Sequence, residues 1–177
     1  IDIQGKHVFP GLFEAHTQLG LVDVNAVRAT RDYAESGSIN PNVEARVAVN
    51  PDSELIPVTR ANGVLLAVSA PSQGLVSGKS AVLQLDGWTF EDLTLSPQAG
   101  LHINWPRQSP VLHVEAGGHA GHDHGSADAE DQVDLLRDLF DDARAYQQAG
   151  LNQNDGRATD LRLESLGPVL DLSLIHI

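Results

Sequence analysis

Cysteine and methionine are both missing from this chain, and aromatic residues make up only 5% of it. Without cysteine there is no disulfide, no thiolate metal site and no cysteine nucleophile. The compartment stays open, because a periplasmic protein can also lack cysteine. Positive charge is scarce: 11 basic residues stand against 24 acidic ones, for a net charge of −13. Such a surface repels phosphate, which argues against a nucleic-acid binder. No apolar run approaches the roughly 18–20 residues of a membrane span, and no signal peptide is visible. The expectation is therefore a soluble protein, cytoplasmic or periplasmic, with its oligomeric state undetermined. The lack of methionine, together with Ile1 in what reads as a strand, suggests a fragment. What is present suffices for a core: 41% of 177 residues are hydrophobic, enough for one sizeable domain or part of a larger one.

The stretch FPGLFEAHTQLG, Phe9 to Gly20, sets polar residues at alternate positions of an apolar strand pattern. Side chains two apart share a strand face, so Leu12, Glu14, His16 and Gln18 are expected on one face. Phe13, Ala15, Thr17 and Leu19 are expected on the other. A face that turns polar toward its C-terminal end must meet water, a ligand or a metal, because unpaired buried polar groups are costly.

Further along, NPDSELIPVTRANG reads as a helix with Asn50 as N-cap and a stop at Asn62–Gly63. Pro57 requires that helix to be short, kinked or to start after Pro51. VLLAVSAP is a continuous apolar run, the mark of a strand buried on both faces. Helix followed by buried strand is the grammar of a βα repeat. KSAVLQLDGWTFEDLTL reads as two strands around the hairpin signal Asp86–Gly87, and AGLHINWP as another short strand ended by Pro106. HVEAGGHAGHDHG, with His113, His119, His122 and His124, is expected to be an exposed loop. A histidine-rich tract can bind zinc, copper or nickel, but its glycines add an ordering entropy that weak ligation must overcome.

A helix is expected from Ala127 to Ala149, capped by Ser126 and ended by Gly150, with Leu136, Leu139, Phe140 and Ala143 on its apolar face. Between Asp128 and Asp142 there are seven acids and one arginine, which makes the opposite face a solvated one. LRLESLGPVLDL reads as the start of another helix and strand. SQGLVSGKS is not a phosphate loop, because only three residues separate Gly74 from Gly78. No Ser-His-Asp constellation follows from spacing.

Gly5, Lys6, Val8, Pro10, Gly11, Leu12, Glu14 and His16 stand in an order that resembles the opening of imidazolonepropionase-like enzymes of the amidohydrolase superfamily. The stretch from Asn50 to Trp88 is similar to one branch of that family, and the resemblance extends over most of Gln4 to Asp171. It implies an α/β fold: a partial (β/α)8 TIM-type barrel over residues 9–171, with a histidine-rich loop at 113–126. Residues 1–8 would end a composite β-sandwich at the N-terminus. Residues 172–177, LSLIHI, resemble a translated sequencing-adapter tail and carry no functional weight.

The resemblance also implies a divalent metal, zinc first, held at the C-terminal end of the first barrel strand, where such barrels place their sites. His16 and position 18 are the metal-ligand positions of the motif. Gln18 stands where the family has its second histidine, and an amide oxygen is a poorer zinc ligand than imidazole. Metal-activated water would then hydrolyse a non-peptide C–N bond of a small-molecule amide or cyclic amide. Glu14 would orient a neighbouring group, and His102 would be either a pocket residue or a core histidine. The remaining ligands would lie downstream, so the enzyme would be the full-length parent and this fragment inactive. A catalytically inactive binding or structural relative, with the histidine-rich loop as a metal-binding element, is the other reading.

Overall fold

The computed structural model describes residues 4–106, 125–150 (side chains from 129) and 159–171. The histidine-rich tract from His113 to His124, residues 1–3 and the 172–177 tail therefore lie outside the described residues. Four strands form one open mixed sheet in the order β1-β2-β3-β4. They are β1 (Leu12–Thr17), β2 (Val64–Ser69), β3 (Val76–Gln84) and β4 (Thr94–Ile103). β1 and β2 pair parallel, whereas β3 is antiparallel to both of its neighbours.

The crossover from β1 to β2 carries two helices, α1 (Ala45–Ala48) and α2 (Leu55–Ala61). Pro57 is the third residue of α2, inside the first turn, where a missing N–H costs nothing because no intrahelical acceptor exists for it. That explains the late start. Asn50 is not the cap: its Oδ1 accepts from the Asp52 N–H at 3.1 Å, and Glu54 precedes the helix without a side-chain cap bond. The stop falls where expected, with Asn62 at the C-cap and Gly63 at φ +91°, a conformation that glycine adopts without strain.

β3 and β4 form the expected antiparallel pair, with Leu83 level with Thr94. The link is not a two-residue turn, because FEDL winds into one helical turn, α3 (Phe90–Leu93), whose Asp92 N–H is accepted by Thr89 Oγ1 at 3.1 Å. The AGLHINWP segment is no separate strand but the continuation of β4.

α4 spans Gly125–Gly150, with Leu136 and Ala143 buried and Leu139 packed beside them. LRLESLGPVLDL forms two single turns, α5 (Leu161–Glu164) and α6 (Gly167–Leu170), and no strand among the described residues. Of these parts, the β1-α2-β2 unit is a parallel crossover; the described residues form an open mixed sheet and do not show the expected barrel or sandwich pieces.

The main core joins Leu19, Leu21, Ala45, Val49 and Ile56 to Ala67, Ala81, Leu83, Leu85 and Leu93. A smaller cluster of Leu75, Val76 and Leu136 lies where α4 meets the sheet. β3 is buried along almost its whole length. β2 is not the doubly buried strand that its sequence suggests: Ala67 and Ser69 are buried, Val64, Leu66 and Val68 half-buried, and Leu65 exposed. The reason is its neighbour. β1 is an open edge strand, exposed along nearly all its length, with Leu12 and Phe13 facing solvent.

Gly78 lies on β3 at φ +127°, and a Cβ there would stand 2.8 Å from the Val43 carbonyl oxygen. That close approach is how the 38–44 segment docks, with Lys79 N–H donating to Val43 O at 2.8 Å and Val76 N–H to Ser38 O at 2.9 Å. Gly78→Ala is expected to cost about 1–3 kcal/mol through backbone strain alone, with the clash adding to it. Gly100→Ala, where no atom lies within 4 Å of the added carbon, should stay within about 0.5 kcal/mol. Denaturant midpoints of the two variants test the contrast.

Candidate functional site

The end of β1 is fixed by polar contacts. Ala70 N–H donates to Thr17 O at 2.9 Å, Leu19 N–H to Thr17 Oγ1 at 3.2 Å, and Ser69 Oγ to Leu19 O at 2.9 Å. Past the turn, Gly20 O accepts from Asn50 N–H at 2.8 Å. The Asp23 carboxylate accepts from Asn50 Nδ2 at 2.9 Å and from Ser53 Oγ. These bonds tie the strand end to the crossover, so the side chains carried there have a defined base.

The row of alternating polar residues is interrupted. Pairing with β2 slips by one residue between Leu12 and Phe13 and returns between Glu14 and Thr17. Glu14 is thus level with Ala67 and Thr17 with Ser69, two positions on the core face of β2. Strict alternation would have put Glu14 and Thr17 on opposite faces. His16 lies inside the slipped stretch and borders a cleft with Glu14, Thr17 and Ala67.

There His16 meets a partner from the far edge of the sheet. Its ring centre lies 5.6 Å from that of His102, with the planes at 53°. His102 sits near the end of β4, level with Gly78 on β3. Three strand spacings would separate flat outer strands by roughly 14 Å. The contact therefore needs the sheet to curl, or both rings to lean inward over β2 and β3. Burial holds His102 below the usual 6.5, and the charge of His16 adds to that. The neutral imidazole, the form that ligates metals, is thereby favoured.

The other motif positions point elsewhere. Gln18 Nε2 donates to Ser72 Oγ at 2.6 Å, which ties the amide to the β2–β3 connection. Glu14 Oε1 accepts from the His16 backbone N–H at 3.4 Å, a long bond that steadies the strand rather than the ring. Glu14 and His16 also border a cleft of about 370 Å³ with Thr59, Val64 and Ala67. Among the described residues no three His, Asp or Glu side chains converge as a metal group. A concavity of about 790 Å³ is lined by residues of the Arg28–Ser36 segment and Gln73 and contains neither imidazole. No helix among the described residues is long and apolar enough to cross a membrane.

No protein-family model matches this sequence, and no curated protein matches it. A solved structure does. The crystal structure of an amidohydrolase from Thermotoga maritima MSB8 superposes with a TM-score of 0.73 at 20% sequence identity, covering 98% of this chain and 47% of that one. The chain has the fold of part of an amidohydrolase. It spans about half the length of that relative, and at this identity the likeness concerns fold alone. The amidohydrolase resemblance seen in the first strand thus has a counterpart in the fold.

One group was not singled out by its sequence pattern. Lys79 is 3% exposed on β3, beside a cleft of about 370 Å³ that it lines with Asn42, Glu44, Gln98 and Glu164. Desolvation lowers its affinity for a proton below the usual 10.5, and Glu44 offsets part of that. The Glu44 carboxylate is itself held by Arg46 Nε at 2.8 Å and Gln98 Nε2 at 3.1 Å. Because the native state holds this proton less tightly than the unfolded chain, stability should rise with pH through the window below 10.5. Lys79→Met is expected to be more stable than the parent at pH 7, with the gain shrinking as pH approaches 10.5. Urea unfolding of both proteins across that range checks the sign.

Proposed function

We propose that this chain is part of a metal-dependent amidohydrolase that hydrolyses non-peptide C–N bonds in a small amide or cyclic amide. The observation that carries the reading is His16 at the C-terminal end of β1 in a chain with the fold of part of an amidohydrolase. Imidazole suits zinc among divalent metals, and His16 is exposed enough to offer a lone pair. When bound, such an ion supplies acidified water and polarises a carbonyl. In this reading His16 and Gln18 are the ligand positions of the strand, and Glu14 fixes the backbone that bears them. The further donors and the substrate-selecting loops belong to the rest of a (β/α)8 barrel, with residues 1–8 ending a small β-sandwich. The activity is that of the full-length parent, and this chain alone is expected to be inactive.

A second reading, a non-catalytic relative kept for binding or assembly, draws support from Gln18. Its amide is engaged with Ser72, and no three-ligand group is present among the described residues.

Metal analysis and a broad amide panel on the full-length protein separate the two. The hydrolase reading expects stoichiometric metal and turnover, with His16→Ala lowering both by at least about tenfold, the scale seen when a metal's supporting residues are lost. If the unmodified protein is metal-free and inert, and Gln18→His gains both metal and hydrolysis, the site is a decayed one and the binding reading stands.

A further inference from the structure

We infer that the cleft between the Arg28–Ser36 segment and Gln73 is a binding site for the carboxylate group of a small molecule. It is separate from the metal-hydrolase reading, because its lining shares no residue with the cleft that Glu14 and His16 border.

The first support is the distribution of charge. Basic residues are few in this chain, 11 against 24 acids, yet Arg28 and Arg31 line the same cleft. Arg46, Arg60, Arg137, Arg144 and Arg162 each hold a carboxylate, on Glu44, Asp86, Asp134, Asp141 and Asp160 in turn. Among the described residues, Arg28 and Arg31 hold none. The Arg31 Nε is moreover buried and has no hydrogen-bond partner among those residues. Taking a charged donor out of water without replacing its bond is costly. The terminal nitrogens carry the remaining donors of the guanidinium, in the fork that matches a carboxylate.

The walls are held in place before any ligand arrives. Asp32 N–H donates to the carbonyl of the buried Leu21 at 2.7 Å, and Arg31 N–H to Arg28 O at 3.1 Å. Thr30 Oγ1 lies 2.9 Å from the Val24 carbonyl oxygen and 3.0 Å from that of Val27. Across the cleft, Ser72 N–H donates to Tyr33 O at 3.0 Å, and Asn104 Nδ2 to Gly74 O at 2.7 Å. Gln73 sits between these two anchors. A wall already ordered loses less entropy on binding.

Size and charge select the ligand. A volume of about 790 Å³ suits a small molecule. Asp32 and Glu35 stand on the same lining as the two arginines, so the formal charges balance. That balance disfavours a phosphate dianion and admits a singly charged carboxylate. Ser36, Tyr33 and Gln73 can complete its hydrogen bonds.

The test labels the full-length protein with 15N-arginine and titrates it with sodium propionate at constant ionic strength. Arg28→Gln and Arg31→Gln assign the two side-chain signals. Propionate is expected to shift both together and to saturate, whereas propionamide, its uncharged counterpart, should shift neither. Arg28→Gln, at an exposed position, should weaken propionate about two- to fivefold, the scale of an exposed ion pair. Arg31→Gln should weaken it about tenfold or more, the scale of a hydrogen-bonded charge. Arg60→Gln, outside the cleft, should leave it unchanged. Because Arg31→Gln can disturb the segment, the shifts in the unmodified protein decide. If propionate moves the two signals no more than equal chloride does, the site is overturned. If inorganic phosphate saturates them at a lower concentration than propionate, the carboxylate assignment is overturned. Neither metal content nor hydrolysis enters the readout.

Discussion

β3 sets the geometry on which everything else depends. It pairs with a neighbour on each edge, both antiparallel, and is buried almost end to end. A strand in that position contributes two ladders of backbone bonds and the centre of the apolar core at once. It also fixes polarity. Two antiparallel steps restore the original direction, so β2 and β4 run alike, and β1 follows β2 through the helical crossover. Because of that arithmetic, residues from the first and last strands reach the same end of the sheet. A single antiparallel step instead of two would put His102 at the opposite end from His16.

Much of the framework was legible in the residues. The Pro-Gly entry and alternating pattern marked β1, the Asn-Gly stop marked the end of α2, and Asp86–Gly87 marked the β3–β4 reversal. The three-four spacing of Leu136, Leu139 and Ala143 marked α4. These are local signals, written in turn chemistry and periodicity. What the sequence did not disclose is set by tertiary context. Nothing in VLLAVS says that the adjoining strand is an open edge, and so that Leu65 is exposed. The four residues FEDL carry too little pattern to separate a helical turn from a strand end. At Asn50 an ordinary capping residue is diverted to Asp23, a partner 27 positions away.

The candidate site divides in the same manner. His16 and Gln18 were readable as motif positions, because the motif is a run of adjacent residues. The company each keeps was not. The partner of His16 is 86 positions away on β4, and Gln18 is bonded to a serine 54 positions away. Lys79 was hidden for a related reason. Its neighbour in sequence, Gly78, looks like loop glycine in a GKS string, but it is a strand glycine that lets the 38–44 segment press against β3. The amidohydrolase fold likeness covers nearly the whole chain at low identity, which is expected where backbone layout persists while side chains change.

The slip in the β1–β2 register has its own consequence. Because pairing leaves and regains step within six residues, the face on which His16 emerges is decided by how many residues lie between Glu14 and Thr17 as much as by which they are. Strand length there acts as a switch of orientation. A one-residue deletion that kept every polar side chain would turn the imidazole to the opposite face of the strand, whereas many conservative exchanges in the same stretch would leave it in place. In comparisons with relatives, then, gaps inside this strand are a stronger sign of altered chemistry than mismatches are.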